Sequence, residues 1–257
     1  TNYTTYYFAV SSIDRDGYES GVSSPPDIGE PKWVGPLWYV NENQSSGSNK
    51  DGSPALPYRE IQDAIYAAAT GDTVLVLPGT YDRSDDQNLK FRISDDNDTA
   101  KNIVLKSRDG AATTILDGEG NQRLFEITNG TDTTLQIIGF TIYDGYSGSN
   151  SAFWGSAISI MNSGVTFKNC VITETVSGVP VISSSSSQVR FIDCVIDSNS
   201  VNNSQSSDSY PTINLSDGSV VFYGCKIADN TTSADCWANG GAIYIYSGNV
   251  KIVNSII

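Results

Sequence analysis

Histidine is absent from all 257 residues. That removes the side chain most often used as a general base and as a metal ligand near neutral pH. Histidine-built zinc hydrolase sites and Ser–His–Asp triads are therefore excluded within this chain. Cationic side chains are also scarce, with 15 Lys and Arg against 29 Asp and Glu and a net charge of −14. Such a surface repels nucleic-acid phosphates and anionic headgroups, so no nucleic-acid partner is expected. It leaves divalent cations such as calcium open as ligands, although no cofactor is required. No apolar run approaches the ~20 residues of a membrane helix, so direct membrane insertion is not expected. The opening TNYTTYYFAV has neither a basic start nor a leucine-rich stretch, hence no signal peptide. Apolar residues still make up 39% of the chain, enough for a folded core.

What is present begins with a short alternating segment. Tyr6, Phe8 and Val10 recur at the period of a half-buried strand, Asp14-Arg15-Asp16-Gly17 reads as a turn, and Tyr18-Glu19-Ser20 leads out of it. The stretch YYFAVSSIDRDGYESGVSS resembles the last hairpin of a fibronectin type III domain. Two strands do not make a stable sandwich, so residues 1–24 are expected to be the end of such a domain, with the rest of it upstream. Pro25, Pro26, Pro31 and Pro36 mark residues 25–37 as a linker.

From Trp38 the pattern changes. A polar loop from Asn41 to Pro57 precedes a helix whose Ile61, Ala64, Ile65 and Ala68 form one apolar stripe, stopped by Gly71. Thr73 to Leu77 is then an apolar run ended by Pro78-Gly79, as in a strand buried on both sides. A short amphipathic helix at this place suits a cap over an open sheet stack. The order PYREIQDAIYAAATGDTVLVLPGTYD, followed by IVLKSRDGAATTILDG, resembles the N-terminal cap and first coils of the pectate-lyase-like right-handed parallel β-helix family. The resemblance runs from about Trp38 to Ile257. It implies an all-β, right-handed parallel β-helix with a short N-terminal capping α-helix over residues 38–257. The family includes polysaccharide lyases, glycoside hydrolases and non-enzymatic adhesins, so the fold does not decide the function.

The second half repeats itself independently of any resemblance. Val165–Ile172, Val189–Ile196, Val220–Ile227 and Val250–Ile257 align, with Leu135–Ile142 as an earlier copy. Their sixth positions, Phe140, Cys170, Cys194, Cys225 and Ser255, are spaced 30, 24, 31 and 30 residues apart, the period of a solenoid. Each copy reads as two short strands with one face inward. The fifth position is Gly139, Asn169, Asp193, Gly224 or Asn254, residue types that tolerate a left-handed backbone, which predicts a tight corner at φ > 0. A third strand precedes each copy, with Phe125 and Ile127, Ile158 and Ile160, Ile182 and Ser184, Ile213 and Leu215, and Ile243 and Ile245 inward. Three strands per coil are expected, with further coils downstream, because Ile257 falls within a strand. A secreted protein without its leader then reads as an internal fragment.

Cys170, Cys194 and Cys225 fall on one inward row of adjacent coils, about 4.8 Å apart, where small apolar packing suits them better than disulfides. Cys236, beside Trp237, lies in a loop and is read as unpaired.

The outward row of the first strand reads Glu126, Ser159, Ser183, Asn214 and Tyr244, with Tyr246 just beyond. The row beside it reads Leu124, Ala157, Val181, Thr212 and Ala242. A β-eliminating lyase needs a base and a cation there, but the loops 173–178, 197–210 and 228–240 carry no Lys or Arg. Lys168 at the corner and Arg190 on the second strand are expected to face solvent elsewhere, and Lys226 lies on the third strand. A glycoside hydrolase needs two carboxylates roughly 5–9.5 Å apart. Asp197, Asp208, Asp229 and Asp235 lie in or beside the loops, but nothing fixes a pair, so no catalytic residue is assigned. Asp14, Asp16 and Asp95-Asp96-Asn97-Asp98 read as solvated turns before they read as calcium ligands. Asn199 and Asn230 align as a ladder capping backbone groups.

Hydroxyl, amide and aromatic groups without a reactive centre suit carbohydrate binding. The candidate ligand-binding residues are Ser159, Ser183, Asn214, Tyr244, Tyr246 and Trp237, with Trp154 as a further aromatic; no metal site is assigned. The sequence reads as a scaffold or carbohydrate-binding adhesin segment, secreted or at a bacterial cell surface, with polysaccharide as its partner. The alternative is a polysaccharide lyase or glycoside hydrolase with its catalytic residues in further coils or among the loop aspartates. A purely structural spacer is the third reading.

Overall fold

A computed structural model of the chain describes residues 6–8, 11, 13, 20, 27–29, 33–45, 50–82, 91–92, 100–128, 130–146, 155–202, 210–233 and 242–257. The chain forms two compact units, Thr1–Gly35 and Pro36–Ile257. In the first, strand Tyr6–Phe8 pairs antiparallel with Asp27–Gly29. The partner strand thus falls in the stretch expected as linker, and the Asp14–Gly17 turn lies outside the described residues.

The second unit is a right-handed parallel β-helix. All its paired strands run parallel, and a parallel crossover within one sheet takes the right-handed course in ≈ 98% of cases. Coils stack in register, so each inward position becomes a ladder. One ladder runs Leu105–Ile137–Phe167–Phe191–Phe222–Ile252. Within it Phe167 and Phe191 stack with centroids 5.2 Å apart, and Phe191 and Phe222 at 5.1 Å. Phe125 meets Phe167 edge-on at 6.1 Å. Each such pair adds about 0.5–1.5 kcal/mol beyond the area it buries. Cys170, Cys194 and Cys225 are free and buried, as their row predicts.

The predicted corner is present in every copy. Gly139, Asn169, Asp193, Gly224 and Asn254 all have positive φ, between 50° and 76°. A second left-handed column follows each third strand at Asp144, Glu174, Ser198 and Asp229, and a third includes Asn162, Ser186 and Asp217. In the last four coils the first strand starts eleven residues before the first corner: Ile158 to Asn169, Ile182 to Asp193, Ile213 to Gly224 and Ile243 to Asn254. The second column stands five residues after the first, at Asp144, Glu174, Ser198 and Asp229. The remaining stretch, from the second column to the next first strand, holds all the variation: 14 residues from Asp144 to Ile158, 8 from Glu174 to Ile182, 15 from Ser198 to Ile213 and 14 from Asp229 to Ile243.

Four expectations change. The coil has a fourth short strand, at Val176–Ser177, Ser200–Asn202 and Thr231–Ser233, which form their own parallel sheet inside segments expected as loops. First and second strands fuse into single bent strands at Ile182–Ile192, Ile213–Tyr223 and Ile243–Val253. Thr73–Val76 alternates half-buried and buried residues, so only one of its faces is fully covered. The helix Ile61–Ala67 ends before Gly71, because Ala68 is already extended at ψ 142°. Its stripe packs as predicted, with Ile61, Ala64, Ile65 and Ala68 buried. Its last carbonyls are met by Lys101, whose Nζ donates to Ile65 O at 3.0 Å and Tyr66 O at 2.8 Å. A buried ammonium at a helix C-terminus also suits the helix dipole.

The first, second and third strands of successive coils stack into faces, the first, second and third sheets, the first two continuous through the bent strands. Two outer faces matter below. On the second sheet, one outward row carries Gln136, Thr166, Arg190, Val221 and Lys251, and its neighbour Lys106, Ile138, Lys168, Ile192, Tyr223 and Val253. On the first sheet, the outward row is the candidate site.

Candidate binding row on the first sheet

Strand register sets Glu126, Ser159, Ser183, Asn214 and Tyr244 one above another on consecutive coils. The row is therefore real, but its openness varies along its length. Ser159 and Ser183 are 0% and 2% exposed, Asn214 and Tyr244 are half-buried, and Tyr246 is 75% exposed. An open hydroxyl surface at Ser159 and Ser183 is thus corrected to a covered one. Trp237, Trp154 and Cys236 lie outside the described residues, as do Asp208, Asp235 and Asp95–Asp98.

The adjoining row is also corrected. Leu124, Ala157, Val181 and Thr212 are all fully buried, not outward. The cause is a backbone irregularity repeated on each coil. The N–H groups of Leu124 and Phe125 both donate to Ala157 O, those of Ala157 and Ile158 to Val181 O, and those of Val181 and Ile182 to Thr212 O. Two consecutive donors on one acceptor break the strict alternation that would have turned these side chains outward. Ala242, last in this row, is half-buried.

At the covered end, Arg123 organises the row. Its Nε donates to Gly155 O at 2.7 Å and its Nη1 to Glu126 Oε2 at 3.2 Å, and the two side chains are 10% and 13% exposed. Burial lowers the Arg123 pKa and the Glu126 carboxylate opposes that shift; a guanidinium stays charged throughout. Gly155 itself is pressed onto the strand, since a Cβ there would meet Ile158 O at 1.8 Å and Ser183 N at 2.7 Å. Sequence reasoning missed Arg123. The available signal was its position, directly before the row and three residues before Glu126. The buried hydroxyls of Ser156, Ser159 and Thr212 have no protein partner among the described residues.

At the open end, the register slips. Leu215 pairs with Ile245 but Ser216 pairs with Ser247, so Tyr246 is the extra residue of a β-bulge. A bulge re-aims a side chain, and here it presents Tyr246 to solvent beside Tyr244.

The row holds one carboxylate, already paired with Arg123. Asp197 lies on the third sheet and Asp229 on the corner beyond it, 4.0 Å from Lys226. Neither belongs to the first-sheet row. Lys168, Arg190 and Lys226 are exposed, the first two on the second sheet and the last on the third. A separate polar cleft of about 230 Å³ opens at the corner between first and second strands, lined by Asp132, Asn162, Ser186 and Gln188 among others. The Asp132 carboxyl is held below its usual range by the Thr134 hydroxyl and N–H. Among the described residues no group of three or more His, Cys, Asp or Glu side chains is placed to hold a metal ion, and no helix is long and apolar enough to cross a membrane.

These features define a parallel β-helix protein with a polar-to-aromatic row on its first sheet. Residues 45–235 match the family described as "Protein of unknown function (DUF1565)", and the chain belongs to that family. No curated protein matches it. Among solved structures it is similar to a rhamnogalacturonan lyase, at 14% identity and TM-score 0.48 over 86% of this chain and 68% of that one. It is similar to a pectin methylesterase in complex with a hexasaccharide, at 14% identity and TM-score 0.37 over 74% and 78%. A pectin methylesterase from Aspergillus niger follows, at 14% identity and TM-score 0.34 over 86% and 85%.

Proposed function

We propose that this chain is a non-catalytic, extracellular carbohydrate-binding scaffold whose contact surface is the open end of the first-sheet row, preceded in the sequence by a fibronectin-type hairpin. The observation that carries the reading is the in-register rise from Asn214 to Tyr244, with the bulged Tyr246 beside it. An amide next to two phenol rings offers directional hydrogen bonds and flat faces for sugar rings. Trp237, seven residues before Tyr244 in the sequence, is a further aromatic candidate. The row's one acid, Glu126, is engaged by Arg123 at the far, covered end, a poor arrangement for the two independent carboxylates that glycoside hydrolysis uses.

The test is incubation of the chain with neutral and acidic polysaccharides, with and without calcium. Retention without new chain ends is expected, weakened by Tyr244→Ala and Tyr246→Ala. Release of unsaturated or reducing ends would overturn the reading in favour of a polysaccharide-active enzyme. Silence toward all glycans, together with concentration-dependent assembly, would favour a structural spacer.

A further inference from the structure

The second sheet carries a surface at odds with the rest of the molecule. In a chain of net charge −14, its two outward rows contain Lys106, Lys168, Arg190 and Lys251 and no Asp or Glu. All four cations are exposed, and none has an ion pair or hydrogen bond among the described residues. The nearest acids in chain order are Asp109, three residues after Lys106 and paired with Arg108, and Asp193, on the corner beyond Ile192, where its Oδ1 sits over Gly224.

We propose that this face is a track for a linear polysaccharide carrying one carboxylate per disaccharide, lying along the helix axis. The spacing of the charges carries the inference. Lys106 and Lys168 lie two rungs apart through Ile138, and Arg190 and Lys251 two rungs apart through Val221. At roughly 4.8 Å per rung each pair spans about 10 Å, close to the length of an extended disaccharide. Between the charges stand Ile138, Ile192 and Tyr223, the last 47% exposed, which give flat apolar patches for the intervening sugars. A rigid sheet face with its backbone already paired offers an extended peptide no edge to join. The overall negative charge does not forbid the contact, because at physiological salt fields are screened beyond about 8 Å and the local rows dominate. This face is not the first-sheet row, so the inference stands apart from the function proposed above.

The experiment measures binding of the whole chain to hyaluronate, which bears a uronate on every second sugar, at low and high salt, with dextran as the neutral polymer. Hyaluronate binding that weakens with salt is expected, with dextran retained only through the first-sheet row and so unchanged by salt. The double variant K168Q/R190Q, checked for an unchanged circular dichroism spectrum, should bind on the order of tenfold more weakly, whereas K226Q, which removes an exposed cation from the third sheet, should leave hyaluronate binding intact, and an equal loss in K226Q would overturn the proposal. Loss of binding in the tyrosine variants but not in K168Q/R190Q would place the contact on the first sheet and overturn the proposal. No binding to hyaluronate, salt-insensitive binding, or equal retention of duplex DNA lost in the same double variant would overturn it as well.

Discussion

Asn199 stands over Asn230 on the next coil, and the Asn230 Oδ1 accepts from both the Asn199 side-chain amide at 2.9 Å and its backbone N–H at 3.2 Å. The Asn199 amide also donates to Ile172 O and Asp197 O, and its own Oδ1 accepts the Thr175 N–H. One buried side chain thus satisfies three backbone groups on two adjacent coils. Asn199→Ala strands them, at an expected cost of about 2–3 kcal/mol, read as a lower denaturant midpoint at unchanged slope. Asn199→Asp keeps the acceptor, loses the donors and should destabilise to a similar degree. A loss below about 0.5 kcal/mol for the alanine variant would show that the ladder contributes little.

Phe191 lies between Phe167 and Phe222, at interplanar angles of 11° and 7°. Phe191→Ala should cost about 3–5 kcal/mol, the range for a large buried ring. Phe191→Leu, which refills most of the space, should cost less than half as much in thermal or chemical unfolding.

The corner at Asn169 has φ 51° and an exposed side chain. Asn169→Gly should be neutral to within about 0.5 kcal/mol, whereas Asn169→Val, with a branched Cβ in the left-handed region, should cost roughly 1–2 kcal/mol. Equal melting temperatures for the two variants would argue against backbone strain as the reason for the residue choice.

The Asp144 carboxyl is raised above its ordinary value, first by burial and then by Asp117 and Glu174. A folded-state pKa above the unfolded one means that the ionised form is disfavoured in the fold. Stability is therefore highest below the unfolded carboxyl pKa and falls as pH rises through the folded value. Asp144→Asn, which keeps a residue tolerant of φ 49°, should stabilise the protein at neutral pH by roughly 0.3 kcal/mol after solvent screening. Melting curves of the two proteins should converge as the solution is acidified. A gap that persists in acid would locate the effect elsewhere.

The coil and its first corner were legible because their signals are chemical. Only Gly, Asn and Asp occupy the column from Gly139 to Asn254, and their shared tolerance of positive φ makes the turn visible. The second column was not legible, because Glu174 and Ser198 adopt φ 56° without any such preference; coil closure imposes it. The thiol row was readable from spacing alone. The fourth strand was hidden because Val176-Ser177 and Thr231-Thr232-Ser233 carry no two-residue hydrophobic alternation. In the candidate site, the row's register followed from period two, but the shared carbonyls of Ala157, Val181 and Thr212 leave no mark on residue type. Strict alternation therefore turned the wrong side chains toward solvent. Tyr246 was read as lying beyond the row, and the slip that exposes it is set by pairing with Leu215 and Ser216.

The uneven coil lengths have an evolutionary corollary. In the coils that start at Ile158, Ile182 and Ile213, the run from the first strand to the second left-handed column keeps a fixed count, while the return stretch varies from 8 to 15 residues. Between the fourth short strand and the next first strand, insertions and deletions can accumulate without disturbing the ladders of the first three strands. Relatives of this chain should therefore share its spine and differ in their return stretches, so that new recognition surfaces can arise along one flank of an unchanged column.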